Sequence, residues 1–178
     1  ATSSVTVGSE APDQRNVISG NRLAGVFLDG GGTTGSQVLN NYIGTDTTGE
    51  TADGTAGSNL GNGTNGVLTR ATILNTIQGN VISGNGADGL RLENDFVSPG
   101  TGQPPAPCQQ FPDLPGCQAP DPCAGSSVIR GNKIGTDKDG LSPIVNAGAG
   151  VVLSSSAGVK LGVAEAGGGN VIAGNGST

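Results

Sequence analysis

The fold this sequence predicts is a parallel β-helix of about five coils, with three short strands in each. Three observations predict it. First, a hexapeptide recurs: NVISGN at 16–21 and 80–85 and NVIAGN at 170–175, with NYIGTD at 41–46 and NKIGTD at 132–137 between them. Second, two other short motifs recur with it in a fixed order. Third, the composition cannot build an ordinary core. Gly and Pro supply 34 and 10 of the 178 residues, Leu, Ile, Val and Phe together 39, and there is no Trp, no Met and one Tyr. That apolar content is close to the level at which a chain stays disordered. Repetition makes a core from so little, because stacked units share one buried face.

The first companion motif is Gly-(Val/Leu)-x-(Leu/Thr): GVFL from Gly25, GVLT from Gly66, GLRL from Gly89 and GVVL from Gly150. The second precedes each hexapeptide: VTVG from Val5, QVLN from Gln37, NTIQ from Asn75, VIRG from Val128 and VKLG from Val159. The order along the chain is Gly-Val motif, second motif, hexapeptide, and the first coil lacks its Gly-Val strand. The leanest coil, Gly66 to Asp88, takes 23 residues. Each motif alternates apolar and polar positions, the period of a pleated strand. Gly and Asn fill the corners, where positive φ is common. No stretch shows a 3.6-residue period, and Gly at this density costs a helix up to about 1 kcal/mol each. Coils stacked at the strand spacing of about 4.8 Å make a rod about 24 Å long.

Stacking assigns the side chains. The third hexapeptide position gives an inward aliphatic row, Ile18, Ile43, Ile82, Ile134 and Ile172. Val7, Val38, Ile77, Ile129 and Leu161 give a second; Val26, Val67, Leu90 and Val151 a third, beside Leu28, Leu92 and Leu153, a row that Thr69 breaks. The first hexapeptide position is Asn in every coil: Asn16, Asn41, Asn80, Asn132 and Asn170. An Asn at a corner can bond its own backbone and the next coil's amide, so these predict a ladder. The sixth position, Asn21, Asp46, Asn85, Asp137 and Asn175, predicts a second ladder alternating amide and carboxylate. Both are read as structural rather than as binding rows. The NYIGTD and NKIGTD coils carry the longer loops, Thr47–Asn65 and Lys138–Ala149, so the higher-order unit is two coils.

Composition also excludes functions. There is no His, which removes a Ser-His-Asp triad, a Cys-His pair and His-ligated zinc. The net charge is −6 with 8 Lys and Arg, so no basic face exists to neutralise nucleic-acid phosphates. No apolar run approaches the roughly 20 residues of a membrane span. No signal peptide is present; the chain begins at Ala1, as a mature or excised form would.

These motifs resemble a bacterial group of right-handed parallel β-helix repeat proteins in the pectin-lyase-like superfamily. Runs such as NVISGNGADGLRLEN and NYIGTDTTGETADGTAGSNLGNGTNGVL are similar to repeats of large secreted or surface proteins, some of which open with a CSLREA signature that is absent here. The resemblance covers nearly the whole chain except 98–125. It implies the right-handed sense, which general chirality also favours, and an extracellular or cell-surface setting. It implies no single activity, since the superfamily hosts lyases, hydrolases, epimerases, adhesins and structural rods.

The chain is read as a single domain, 1–178, interrupted by the insertion at 98–125. That insertion holds eight of the ten prolines and all three cysteines, Cys108, Cys117 and Cys123. Pro at this density forbids regular structure, and a loop without a core needs a staple, so a disulfide is expected. All three pairings fit; the third thiol is then free, buried or joined to another chain. Spacings of nine and six without His argue against zinc.

Two function classes compete. An enzyme on acidic polysaccharide would use clustered carboxylates, a basic residue and often Ca²⁺. The candidate acids are Asp46, Glu50, Asp53, Asp137 and Asp139 at the long-loop corner. Asp46 and Asp137, two coils apart, would lie about 9–10 Å from each other. That is the wider spacing of an inverting glycosidase, but the motif is repeated where an active site would be unique. The basic residues, Arg15, Arg22, Arg70, Arg91, Arg130, Lys133, Lys138 and Lys160, are dispersed. Asp46, Glu50 and Asp53 could also converge on Ca²⁺, although their loop lacks the EF-hand pattern. A flat Thr row for ice binding is not present on every coil.

The expectation is therefore a non-catalytic structural or interaction module without a required cofactor. It would be extracellular, a rigid rod or part of an adhesin. Residues Val5–Asn21 repeat the register of Val159–Asn175, with no helical or charged cap at either end. Matching open ends can stack on other copies into a fibre, or on neighbouring coils of a longer solenoid. Polysaccharide is the alternative ligand.

Overall fold

A computed structural model describes residues 4–30, 34–54, 57–95, 127–156 and 158–176. The insertion at 98–125, with Cys108, Cys117 and Cys123 and the disulfide expected there, lies outside the described residues. Among the described residues fourteen short strands form three parallel sheets. Sheet 1 stacks β1 (Thr6–Gly8), β4 (Gln37–Leu39), β7 (Thr76–Gln78), β10 (Val128–Arg130) and β13 (Lys160–Leu161). Sheet 2 stacks β2 (Val17–Ile18), β5 (Tyr42–Ile43), β8 (Val81–Ile82), β11 (Lys133–Ile134) and β14 (Val171–Ile172). Sheet 3 stacks β3 (Val26–Asp29), β6 (Val67–Arg70), β9 (Leu90–Glu93) and β12 (Val151–Ser154). The chain visits the sheets in turn and pairs each strand with the one a coil later, which is a right-handed parallel β-helix.

The register brings like onto like. Ile18, Ile43, Ile82, Ile134 and Ile172 are successive partners in sheet 2. Val7, Val38, Ile77, Ile129 and Leu161 are partners in sheet 1. The middle members are fully buried; Ile18 is partly covered, and Ile172 is 41% exposed because no described strand follows it. Small aliphatics suit this narrow cross-section because three inward rows meet along one axis. The turn after the second-sheet strand needs glycine. Gly44 has φ of +90°, and a Cβ there would lie 2.2 Å from the Ser83 carbonyl of the next coil.

Thr69 occupies the inward row between Leu28 and Leu92, fully buried, and its hydroxyl has no hydrogen-bond partner. An orphaned buried hydroxyl costs about 1–3 kcal/mol. Thr69→Val keeps the shape and removes that polar group. It is expected to gain about 1 kcal/mol, seen as a rise of about 2–4 °C in the thermal midpoint. An unchanged or lower midpoint would refute this assignment.

The corner ladders are the second source of order. Asn16, Asn41, Asn80, Asn132 and Asn170 form one. The Asn41 Oδ1 accepts from the Asn16 N–H and Nδ2, and the same two bonds repeat from Asn41 to Asn80, from Asn80 to Asn132 and from Asn132 to Asn170, at 2.8–3.2 Å. The second ladder differs from the sequence expectation. It runs Asn21, Asn62, Asn85, Asn146, Asn175, and neither Asp46 nor Asp137 belongs to it. The physical reason is donor balance. Each rung accepts at Oδ1 and donates at Nδ2, and a carboxylate cannot donate. The two Asp coils therefore leave the corner as loops at Asp46 and Asp137, and regain the ladder with Asn62 and Asn146.

Candidate functional site

Two places on this scaffold are candidates: the corner bearing the long loops and the end formed by the last coil. The loops leave between sheets 2 and 3 on alternate coils. The intervening coil turns tightly through Ser83 and Gly84, so the two loops meet across it. The Lys138 N–H donates to the Gly49 carbonyl at 2.8 Å, and the Gly84 N–H donates to Ile144 O at 3.1 Å. Between them lies a cleft of about 390 Å³, lined among others by Glu50, Asp53, Asn59, Gly84 and Pro143.

The five candidate acids do not assemble there. Asp46 folds back on its own loop and accepts from the Thr48 hydroxyl at 2.8 and 2.9 Å, and from the N–H groups of Thr48 and Glu50. Burial, the largest single influence, raises its pKa, but the Thr48, Glu50 and Thr51 hydrogen bonds together hold it below the ordinary carboxylate value. Asp137 accepts from the N–H groups of Asp139, Leu141 and Ser142 at 2.9–3.1 Å, and the Leu141 bond foremost lowers its pKa. Both carboxylates are turn caps. Glu50 and Asp139 pair with Lys138 at 2.9 and 2.8 Å, whose pKa these bonds raise, that from Asp139 most. Asp53 lines the cleft, and its backbone forms an isolated β-bridge with Asn59 across its own loop. Asp46, Glu50 and Asp53, considered for Ca²⁺, do not converge: among the described residues there is no group of three or more His, Cys, Asp or Glu placed to hold a metal ion.

Asn62 and Asn146 are the residues that reading the hexapeptide alone misses. The signal is present elsewhere in the sequence. Every member of this ladder that precedes a third-sheet strand stands four residues before its glycine: Asn21 and Gly25, Asn62 and Gly66, Asn85 and Gly89, Asn146 and Gly150.

A buried acid also emerges beside the insertion. Asp95 follows β9 and is 2% exposed. Its carboxylate accepts from the Ser127 hydroxyl at 2.7 Å and from the Asn75 amide, while the Asn75 Oδ1 lacks a partner. Burial, more than these bonds, sets its pKa and raises it. The folded state thus holds this proton more tightly than the unfolded chain, where the value is about 3.9. The associated stability is complete below about pH 4 and is lost as pH rises through the raised value. Asp95→Asn removes the charge and brings a donor toward Asn75 Oδ1. The variant is expected to melt higher than the parent at pH 7, with the difference shrinking toward pH 4; a pH-independent difference would contradict this.

The last coil is the second candidate. Its inward-row members Leu153, Leu161 and Ile172 are 45%, 48% and 41% exposed, while Leu92, Ile129 and Ile134 one coil earlier are at 0%. The first coil is better covered: Val7 and Ile18 pack partly against the core, and Val26 and Leu28, at the start of the second coil, are each 7% exposed. The two ends, expected to match, are therefore unequal. A 3₁₀ turn at Pro12–Gln14 also interrupts the first coil between β1 and β2. Among the described residues no helix is long and apolar enough to cross a membrane.

Comparison with protein-family models, with curated proteins and with solved structures finds no match to this chain.

Proposed function

We propose that the chain is an extracellular structural and interaction module, a rigid β-solenoid that associates end to end with further coils. Those coils belong to another copy, forming a fibre, or to a larger surface protein or adhesin. One observation carries the reading: the aliphatic cross-section of the rod is uncovered at the last coil, where Leu153, Leu161 and Ile172 stand 41–48% exposed. Exposed inward rows and unpaired strand edges favour the addition of another coil. The Asn ladders support a rigid role, since they fix the corners of successive coils to one another. The resemblance to secreted pectin-lyase-like repeat proteins supports the setting.

The polysaccharide reading would use the cleft between the long loops. Asp46 and Asp137 accept hydrogen bonds within their own turns there, and Glu50 pairs with Lys138, which favours the structural reading.

Electron microscopy and sedimentation of the native, non-reduced protein test the proposal. Concentration-dependent, unbranched particles with an axial repeat of about 4.8 Å are expected. A species that stays monomeric at every concentration, and that instead cleaves or binds polysaccharide, would overturn it.

A further inference from the structure

The two Asn ladders differ in the residue that follows each rung. In the first, Asn16, Asn41, Asn80, Asn132 and Asn170 precede Val, Tyr, Val, Lys and Val. In the second, the interior rungs Asn62 and Asn85 precede Gly63 and Gly86. The packing of the coils accounts for these two glycines. A Cβ on Gly63 would strike the Arg22 carbonyl of the preceding coil, and one on Gly86 would lie 2.7 Å from the Gly63 carbonyl. The ladder requires Asn and the close approach of the coils requires Gly. Together they make a chemically labile dipeptide, because glycine has no side chain to shield its own nitrogen from the Asn amide before it.

The folded chain blocks attack at both partners. The nucleophilic nitrogens are tied down: the Gly63 N–H donates to the Asn21 carbonyl at 2.7 Å and the Gly86 N–H to the Asn62 carbonyl at 2.8 Å. The amides are held as well. Asn62 Oδ1 accepts from the Asn21 N–H and Nδ2 at 3.2 and 2.8 Å, and its Nδ2 donates to Asn85 Oδ1 at 2.8 Å and to the Ile18 carbonyl at 3.0 Å. Asn85 Oδ1 accepts from the Asn62 N–H and Nδ2, and its Nδ2 donates to Asn146 Oδ1 and to the Ile43 and Ser83 carbonyls. Both residues are 1% exposed. Neither Cγ can turn toward the nitrogen that follows it unless the corner opens.

We propose that Asn62–Gly63 and Asn85–Gly86 are fold-gated deamidation sites, with water as the co-reactant. In an opened coil the Gly nitrogen gives its proton to solvent base and forms a bond to the Asn Cγ. The Cγ–Nδ2 bond breaks, ammonia leaves, and a cyclic imide remains. Water adds to one of the two imide carbonyls and opens the ring to Asp or to isoaspartate. No oxidation or reduction is involved. Neither product fits the rung. Asp has no Nδ2 proton for the next Oδ1 and puts a charge at a buried corner. Isoaspartate adds a methylene to the backbone and displaces the strand that follows. A coil that opens and reacts cannot close again. The first ladder lacks this property, since the residues after its rungs carry side chains that hinder attack. The second ladder thus turns local opening into a permanent mark, and the lifetime of the rod is set by how often its coils open.

The test follows the full chain in mildly alkaline buffer, folded and in urea, by peptide mass spectrometry. Asn62 and Asn85 are expected to convert in urea and to convert at least about a hundredfold more slowly when folded, because several buried hydrogen bonds must open first. Asn41 and Asn80 should stay intact in both samples. Asn85→Asp supplies one product directly and should lower the thermal midpoint by about 6 °C or more. Equal rates at Asn62 and Asn85 in the folded and unfolded chain overturn the proposal, and so does their persistence in urea. A chain converted in urea that refolds and melts with the parent, or an Asn85→Asp variant that does so, also overturns it.

Discussion

Ile82→Asp is expected to unfold the whole solenoid. Ile82 is fully buried in β8 of the central coil, with Ile43 on one side and Ile134 on the other. A carboxylate there has aliphatic neighbours in its own row, and neither of its register partners, Ile43 and Ile134, is basic. Burying an unpaired charge costs several kcal/mol even after relaxation, against a total stability of about 5–15 kcal/mol. A local escape is closed by the architecture. Each coil contacts only its neighbours, so losing the central one divides the rod into two stacks of two coils. Three or more repeats are usually needed for stability. Far-ultraviolet circular dichroism at 20 °C should show the loss of the β signal, and a urea titration should show no transition. A variant that retains a cooperative transition near that of the parent would mean that the inward face has been misassigned. Ile172→Asp is the internal control. Ile172 is 41% exposed, so the same change there should be tolerated far better.

The second large effect lies in the ladder. Asn85 is 1% exposed. Its Nδ2 donates to Asn146 Oδ1 at 2.9 Å and to the Ile43 and Ser83 carbonyls at 3.2 Å, and its Oδ1 accepts from Asn62 Nδ2 at 2.8 Å. Asn85→Ala strips the acceptor from two Asn62 donors and leaves a cavity at the corner. Each buried group so orphaned costs about 1–3 kcal/mol, which places the total near 3 kcal/mol. The thermal midpoint should fall by about 6–12 °C. Asp137→Asn, in the hexapeptide position that sequence alone equates with Asn85, should lower it by less than half as much. Asp137 caps a surface loop, and the amide oxygen of Asn can still accept from Asp139 and Leu141, so that only the Ser142 bond is lost. Equal losses from the two variants would mean that both positions serve the same ladder.

Much of this architecture could be read directly from the residues. The hexapeptide and its two companion motifs determine the sheets, the register and the inward rows, because a period-2 strand repeated at a fixed offset has one way to bury its aliphatics. Ile43, Ile82 and Ile134 are legible for that reason. So is the Asn16 ladder, since the same residue type returns at the same corner in every coil.

The second ladder was not legible from the hexapeptide, because two positions that align in sequence separate in space. Asp46 and Asp137 share a slot with Asn21 and Asn85, but a carboxylate cannot donate, so those coils detour and return with Asn62 and Asn146. The two loops meet over the short turn at Gly84 only once the coils are stacked, which is why the cleft and the pairing of Glu50 with Lys138 have no sequence signature. Asp95 is buried by a corner built from residues far apart in the chain, Asn75, Ser127 and Ser156. The inequality of the two ends also arises at this level. Sequence periodicity sets what each coil would bury, and the stacking decides which coil has a neighbour to bury it against.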